Sequence, residues 1–131
     1  MGVEDVTAAV IGVLEGAGLA PVYARRLSRM DGREGLVVRP GSVRTARRYI
    51  DGSREAVLPV RVICKRRSAA DAMGDAEAAT DALDGATVVA DGNAAAVEAS
   101  DETVQELEFS DADWSVWMAT ANVYYEEGPR K

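Results

Sequence analysis

A chain of 131 residues with 47% apolar side chains is long enough for one domain, 1–131, around a core that needs no disulfide or metal. It contains no histidine, one cysteine and two lysines. That excludes histidine-based triads, histidine acid–base pairs and cysteine–histidine zinc sites. The net charge of −7 divides unevenly, +6 over residues 1–67 and −13 over residues 68–131, which points to nucleic acid, to contact between copies, or to halves that neutralise each other within one fold.

Residues 3–17 are predicted to form an amphipathic helix, with Val3, Val6, Val10, Leu14 and Ala17 at three- and four-residue steps. Glu4 and Asp5 suit its first turn, Gly18 is a C′ residue, and Pro21 follows where the helix has stopped. Val22 to Leu27 is a short strand, 30–35 a polar link, and Leu36 to Arg39 a strand ending at Pro40-Gly41. Val43 to Ile50 is arginine-rich and compatible with a strand, and Asp51-Gly52 is a turn signal.

The clearest strand is 55–66, with Leu58, Val60, Val62 and Cys64 on one face and Pro59, Arg61, Ile63 and Lys65 on the other. One basic face predicts an antiparallel sheet wet on one side. Pro59 cannot donate to a ladder, so the expectation places it at the strand's start or at an edge. Ser68, with Asp71 three residues on, caps a second helix whose apolar stripe is Ala69, Ala72, Met73, Ala76, Thr80 and Leu83. Asp75, Glu77, Asp81 and Asp84 lie off that stripe and are expected to be solvated, and Gly85 closes the helix.

Short strands follow at 86–90, 94–99 and 104–109, then a long one from Trp114 to Tyr125 with apolar groups on both faces, as in a central strand. Residues 127–131 are expected to be a flexible tail. The order α-β-β-β-α-β-β-β, with strands outnumbering helices, predicts an α+β fold. The core should be thin, since much of its apolar content is alanine and valine.

Catalytic chemistry finds little purchase. Ser68 lies three residues from Lys65, but capping already accounts for it. Asp71 with Asp75, Asp101-Glu102, and Asp111 with Asp113 lack the spacing of a calcium loop and read as solvated acidic surface. Gly12, Gly16 and Gly18 end a helix, whereas a phosphate loop opens one. No run of apolar residues is long enough to span a membrane, and Met1 to Asp5 lacks the basic region of a secretory signal. Lone Cys64 fits a reducing cytosol.

The strongest local cluster is Arg44, Arg47 and Arg48, with Arg39 and Arg54 nearby and Tyr49 beside it. Such a segment can grip phosphates and stack a base, or bond carboxylates of the same or an adjacent subunit. The acidic second half favours carboxylates. Trp114 and Trp117 fall on opposite faces of the last strand, one for the core and one as an interface anchor. The candidate interface residues are therefore Arg44, Arg47, Arg48 and Trp114.

In element order the chain resembles bacteriophage minor capsid and tail-terminator (head–tail joining) proteins. The resemblance is carried by the first helix ending near Gly18-Leu19, the hairpin region, the strand Leu58 to Lys65, the helix containing Ala70 to Met73 and ending at Ala82-Leu83, and the strand Trp114 to Tyr125. It implies an α+β domain with an antiparallel, or mixed, sheet flanked by two helices. It implies a self-assembling ring, commonly a hexamer, that caps the tail tube and faces the head connector. Assembly would take place in the host cytoplasm and end at the head–tail junction of the virion, with DNA met only incidentally and no membrane. It also implies no catalysis and no cofactor. Two readings of other classes stand beside it: a small nucleic-acid-binding accessory protein using the segment Arg39 to Arg54, and a module that binds a foreign protein one-to-one.

Overall fold

The computed structural model describes residues 3–19, 22–24, 34–90, 93–99, 105–106 and 114–127. The elements run α1 (Val3–Gly16), β1 (Val22–Ala24), β2 (Gly35–Pro40), β3 (Arg44–Arg48), β4 (Arg54–Arg66), α2 (Ala69–Leu83), β5 (Thr87–Ala90), β6 (Asn93–Ala99), β7 (Gln105–Glu106) and β8 (Ser115–Glu127). The fold is α+β, as expected, with four strands on either side of α2 among the described residues, matching the eight strand segments read from the sequence rather than the three-and-three order. The sheet order is β1-β2-β4-β8-β6-β5. β3 takes up the edge of β4 where β2 leaves it, and β7 does the same for β6 along β8. Among the described residues the β1–β2 pair is parallel and every other pair is antiparallel, so the sheet is mixed.

β4 and β8 are paired along their full lengths, from Arg54↔Glu127 to Arg66↔Ser115. Alternation does the rest. Leu58, Val60, Val62 and Cys64 of β4 and Ala119, Ala121, Val123 and Tyr125 of β8 are buried in one apolar cluster with both helices. α1 contributes Val6, Val10 and Leu14, and α2 contributes Ala76, Ala79 and Leu83. Both helices therefore cover the same face. α1 touches the edge strands β1 and β5 at opposite ends of the sheet order, so the sheet curls around the helices. Thr7 is buried on α1, and its hydroxyl is satisfied by donating to the Val3 carbonyl at 2.7 Å.

Several local expectations hold. Ser68 is the N-cap of α2 and accepts from the Asp71 N–H at 3.4 Å. Gly18 and Gly85 follow the two helices with positive φ, 87° and 77°. Others change. The buried stripe of α2 is Ala72, Ala76, Ala79 and Leu83, so the helix is rotated from the expected stripe, and Met73 and Ala69 face out. Asp75 is not solvated: it is half-buried and accepts from the Arg66 guanidinium at 2.6 Å. β8 runs on to Glu127, so the strand includes the first residue of the expected tail. Residues 25–33, 91–92, 100–104, 107–113 and 128–131, on which parts of the expected loops, strands and tail fall, lie outside the described residues.

Pro59 is the most instructive correction. It sits in the middle of central β4, opposite Asn122 of β8. Its carbonyl accepts from the Gly41 N–H at 2.7 Å, on the side where β2 has ended and β3 has not begun. A strand residue's N–H and C=O point to the same edge, so the donor that proline lacks falls at this break and no ladder bond is lost. Gly41 is needed for the crossing, because a Cβ there would stand 2.9 Å from Pro59 Cγ.

Candidate interaction surface

The β3–β4 hairpin carries the arginine cluster. Its turn is closed by the Tyr49 N–H donating to the Ser53 carbonyl at 3.0 Å. Asp51 accepts from both the Ser53 hydroxyl and its N–H, bonds that hold the carboxyl below its ordinary range. Ile50 stands at the tip fully in water. Simple alternation places Arg44 and Arg48 on one face and Arg47 on the other. A bulge between Thr45 and Arg47 changes this. Arg44 now pairs with Val57 and Arg47 with Glu55, while Thr45 pairs with Ala56 and Arg48 with Arg54. Directly opposed residues share a face. Arg44 and Arg47 therefore lie on the face away from the helices, whereas Arg48 joins Arg54, whose Nη1 donates to Thr45 Oγ1 at 2.7 Å.

That open face continues along the sheet in rows. Arg39 lies directly opposite Arg61, which lies opposite Thr120; the next row is Val37, Ile63 and Met118. Arg39, Arg44 and Arg61 are exposed. They rim an open groove of about 840 Å³ with Pro59, Ile63 and Met118 also lining it. Among the described residues no carboxylate lines the groove, and no hydrogen bond or ion pair reaches these three guanidinium groups. The face is not uniformly wet, since Val37, Val57, Ile63 and Val116 are buried on it.

Trp114 is elsewhere. It stands just before β8, with Lys65 Nζ 4.4 Å and the Arg67 guanidinium carbon 4.6 Å from its ring centroid. Lys65 is ten residues along β4 from Glu55, about 30 Å at strand rise. The structure thus brings Arg44 and Arg47 together on one face, turns Arg48 to the other, and leaves Trp114 at the far end. Of the two tryptophans, Trp117 is the one packed against the core. Sequence reading missed the Arg39–Arg61 opposition, because only the β2–β4 register reveals it. Arg61 does fall on the outer phase of alternating β4, which was the available signal.

No protein-family model and no curated protein matches this chain. Among solved structures it is similar to a chain of the "Virion of native gene transfer agent (GTA) particle", at a TM-score of 0.69 and 18% identity, over 95% of this chain and 96% of that one. The two share a fold from end to end.

Proposed function

We propose that this protein is a non-catalytic structural component of a phage or phage-derived particle, placed at the head–tail junction as a minor capsid or tail-terminator protein. It acts by self-assembly into a ring and by docking to tail-tube and head-connector proteins. The observation that carries the reading is the full-length fold likeness to a chain of a virion. The element order read from the sequence supports the junction role, and the arginines of the open face, which have no partner among the described residues, support assembly. Arg44, Arg47, Arg48 and Trp114 serve as contacts with neighbours, with Arg48 and Trp114 meeting partners other than those of the open face.

Deleting the gene from its element tests this. The expected result is filled heads and separate tails, with joined particles restored by supplying the protein. Intact joined particles without it would overturn the reading. A nucleic-acid role is the second reading, favoured by Arg39, Arg44, Arg47 and Arg61 sharing one face. It requires steeply salt-dependent binding to duplex or single-stranded DNA in gel shifts at two ionic strengths.

A further inference from the structure

Besides Arg48–Arg54 and Glu55–Glu126 at the hairpin end, two pairs of like charges in this fold cost stability with no compensating bond among the described residues. Arg39 and Arg61 are directly opposed across β2 and β4, an arrangement that destabilises a sheet. Glu77 and Asp81 stand four residues apart on the exposed side of α2, a spacing that destabilises a helix when both charges are negative. α2 has no basic residue in its last turn to offset them, and neither carboxylate has a hydrogen bond or ion pair among the described residues. The same outward side carries Gly74. A glycine within a helix costs about 1 kcal/mol relative to alanine, and a Cβ at Gly74 would meet nothing within 4 Å. Packing within the monomer does not require it.

The positions of the two pairs are related. α2 packs on β4 and β8 from the helix side. The arginine groove is lined by Arg61, Pro59 and Ile63 of β4 and Met118 of β8 on the reverse side. The acidic helix face and the basic groove are therefore back to back across the same two strands. Surfaces so placed, opposite in sign, form a head-to-tail contact that repeats from copy to copy, closing into a ring or running on as a filament according to the rotation per step.

We infer that the outward face of α2, with Glu77 and Asp81, docks into the Arg39–Arg44–Arg61 groove of a second copy, and that Gly74 lets the helix approach closely. This rests on the reading of the protein as a self-assembling particle component, and it names the two surfaces that meet. Charge complementarity identifies the occupant: among the described residues the groove has three cations and no anion, and α2 has anions and no cation. The net charge of −7 favours a protein carboxylate over a nucleic-acid phosphate.

Sedimentation velocity across a concentration series at low salt tests the inference on the full chain. The wild type is expected to self-associate. Arg39→Glu/Arg61→Glu and Glu77→Arg/Asp81→Arg are each expected to weaken association about tenfold or more. An equal mixture of the two variants should associate again, because each reversed surface then finds its match on the other chain. A misfolded variant would not be rescued in this way, and Arg39→Gln/Arg61→Gln supplies a milder substitution with a smaller loss in the same direction. Normal association of either charge-reversed variant, or no recovery on mixing, overturns the pairing while leaving self-assembly standing. A wild type that stays monomeric throughout overturns the inference together with self-assembly. Groove variants that lose binding to a DNA duplex while helix variants and association are unaffected also overturn it, in favour of phosphate.

Discussion

The two faces of the β4–β8 pair are made by alternate residues of the same strands, and they do opposite things. On the helix side Leu58, Val60, Val62 and Cys64 meet Ala119, Ala121 and Val123 in a closed apolar cluster. On the other side Pro59 and Arg61 meet Asn122 and Thr120, and Arg39 sets a second guanidinium against Arg61. The first face is closed by apolar packing, whereas the second leaves the guanidinium groups of Arg39 and Arg61 without a partner among the described residues. Like charges opposed across a sheet cost the chain stability, and such breaks in local consistency are expected at functional sites.

The largest effect is expected on the covered face. Leu58 is fully buried, and Leu58→Ala should lower unfolding free energy by about 2–5 kcal/mol in urea titrations. Next comes the junction between the faces, where Arg66 and Asp75 tie β4 to α2. Asp75→Ala leaves a half-buried guanidinium short of its closest carboxylate and should cost about 1–3 kcal/mol by the same measurement.

Cys64 sharpens the contrast through pH. Burial, with a smaller push from Asp75, raises its thiol to about 12. The unfolded chain loses this proton near pH 9 and the folded chain keeps it, so stability is unaffected below that range and falls as pH rises through it. At pH 10 the loss is about 1.4 kcal/mol. Cys64→Ala removes this component, so the gap between wild type and variant should narrow from pH 8 to pH 10 in parallel denaturation curves. A constant gap would mean that the covered face admits water.

The smallest effect has the opposite sign. Arg61→Thr relieves the like-charge opposition and places a good strand former in β4. Unfolding should become harder by about 0.2–1 kcal/mol, although the residue lies in the middle of the central sheet. Destabilisation would show that Arg61 serves the fold.

Period-two alternation was legible in β4 and β8 because each strand carries its own pattern, and so were the Ser68 cap and the closing glycines. What stayed hidden depends on pairing. Arg39 and Arg61 look like isolated polar positions until the register sets them side by side. The Thr45–Arg47 bulge moves Arg47 to the face of Arg44, and no feature of Arg44 to Arg48 announces it. Pro59 argues for an edge unless the break between β2 and β3 is known. On α2, alanines surround the helix so evenly that the choice between Met73 and Ala79 for the core falls to the sheet.

Arginine-specific labelling with phenylglyoxal, read by mass spectrometry on free and assembled protein, tests the division between the faces most directly. Arg39, Arg44 and Arg61 should all react in the free chain and become protected in the homo-oligomer, while Arg48, on the other side of the hairpin and reserved for other partners, keeps its reactivity there. Equal labelling of the three in both states would contradict the assignment of the open face to assembly.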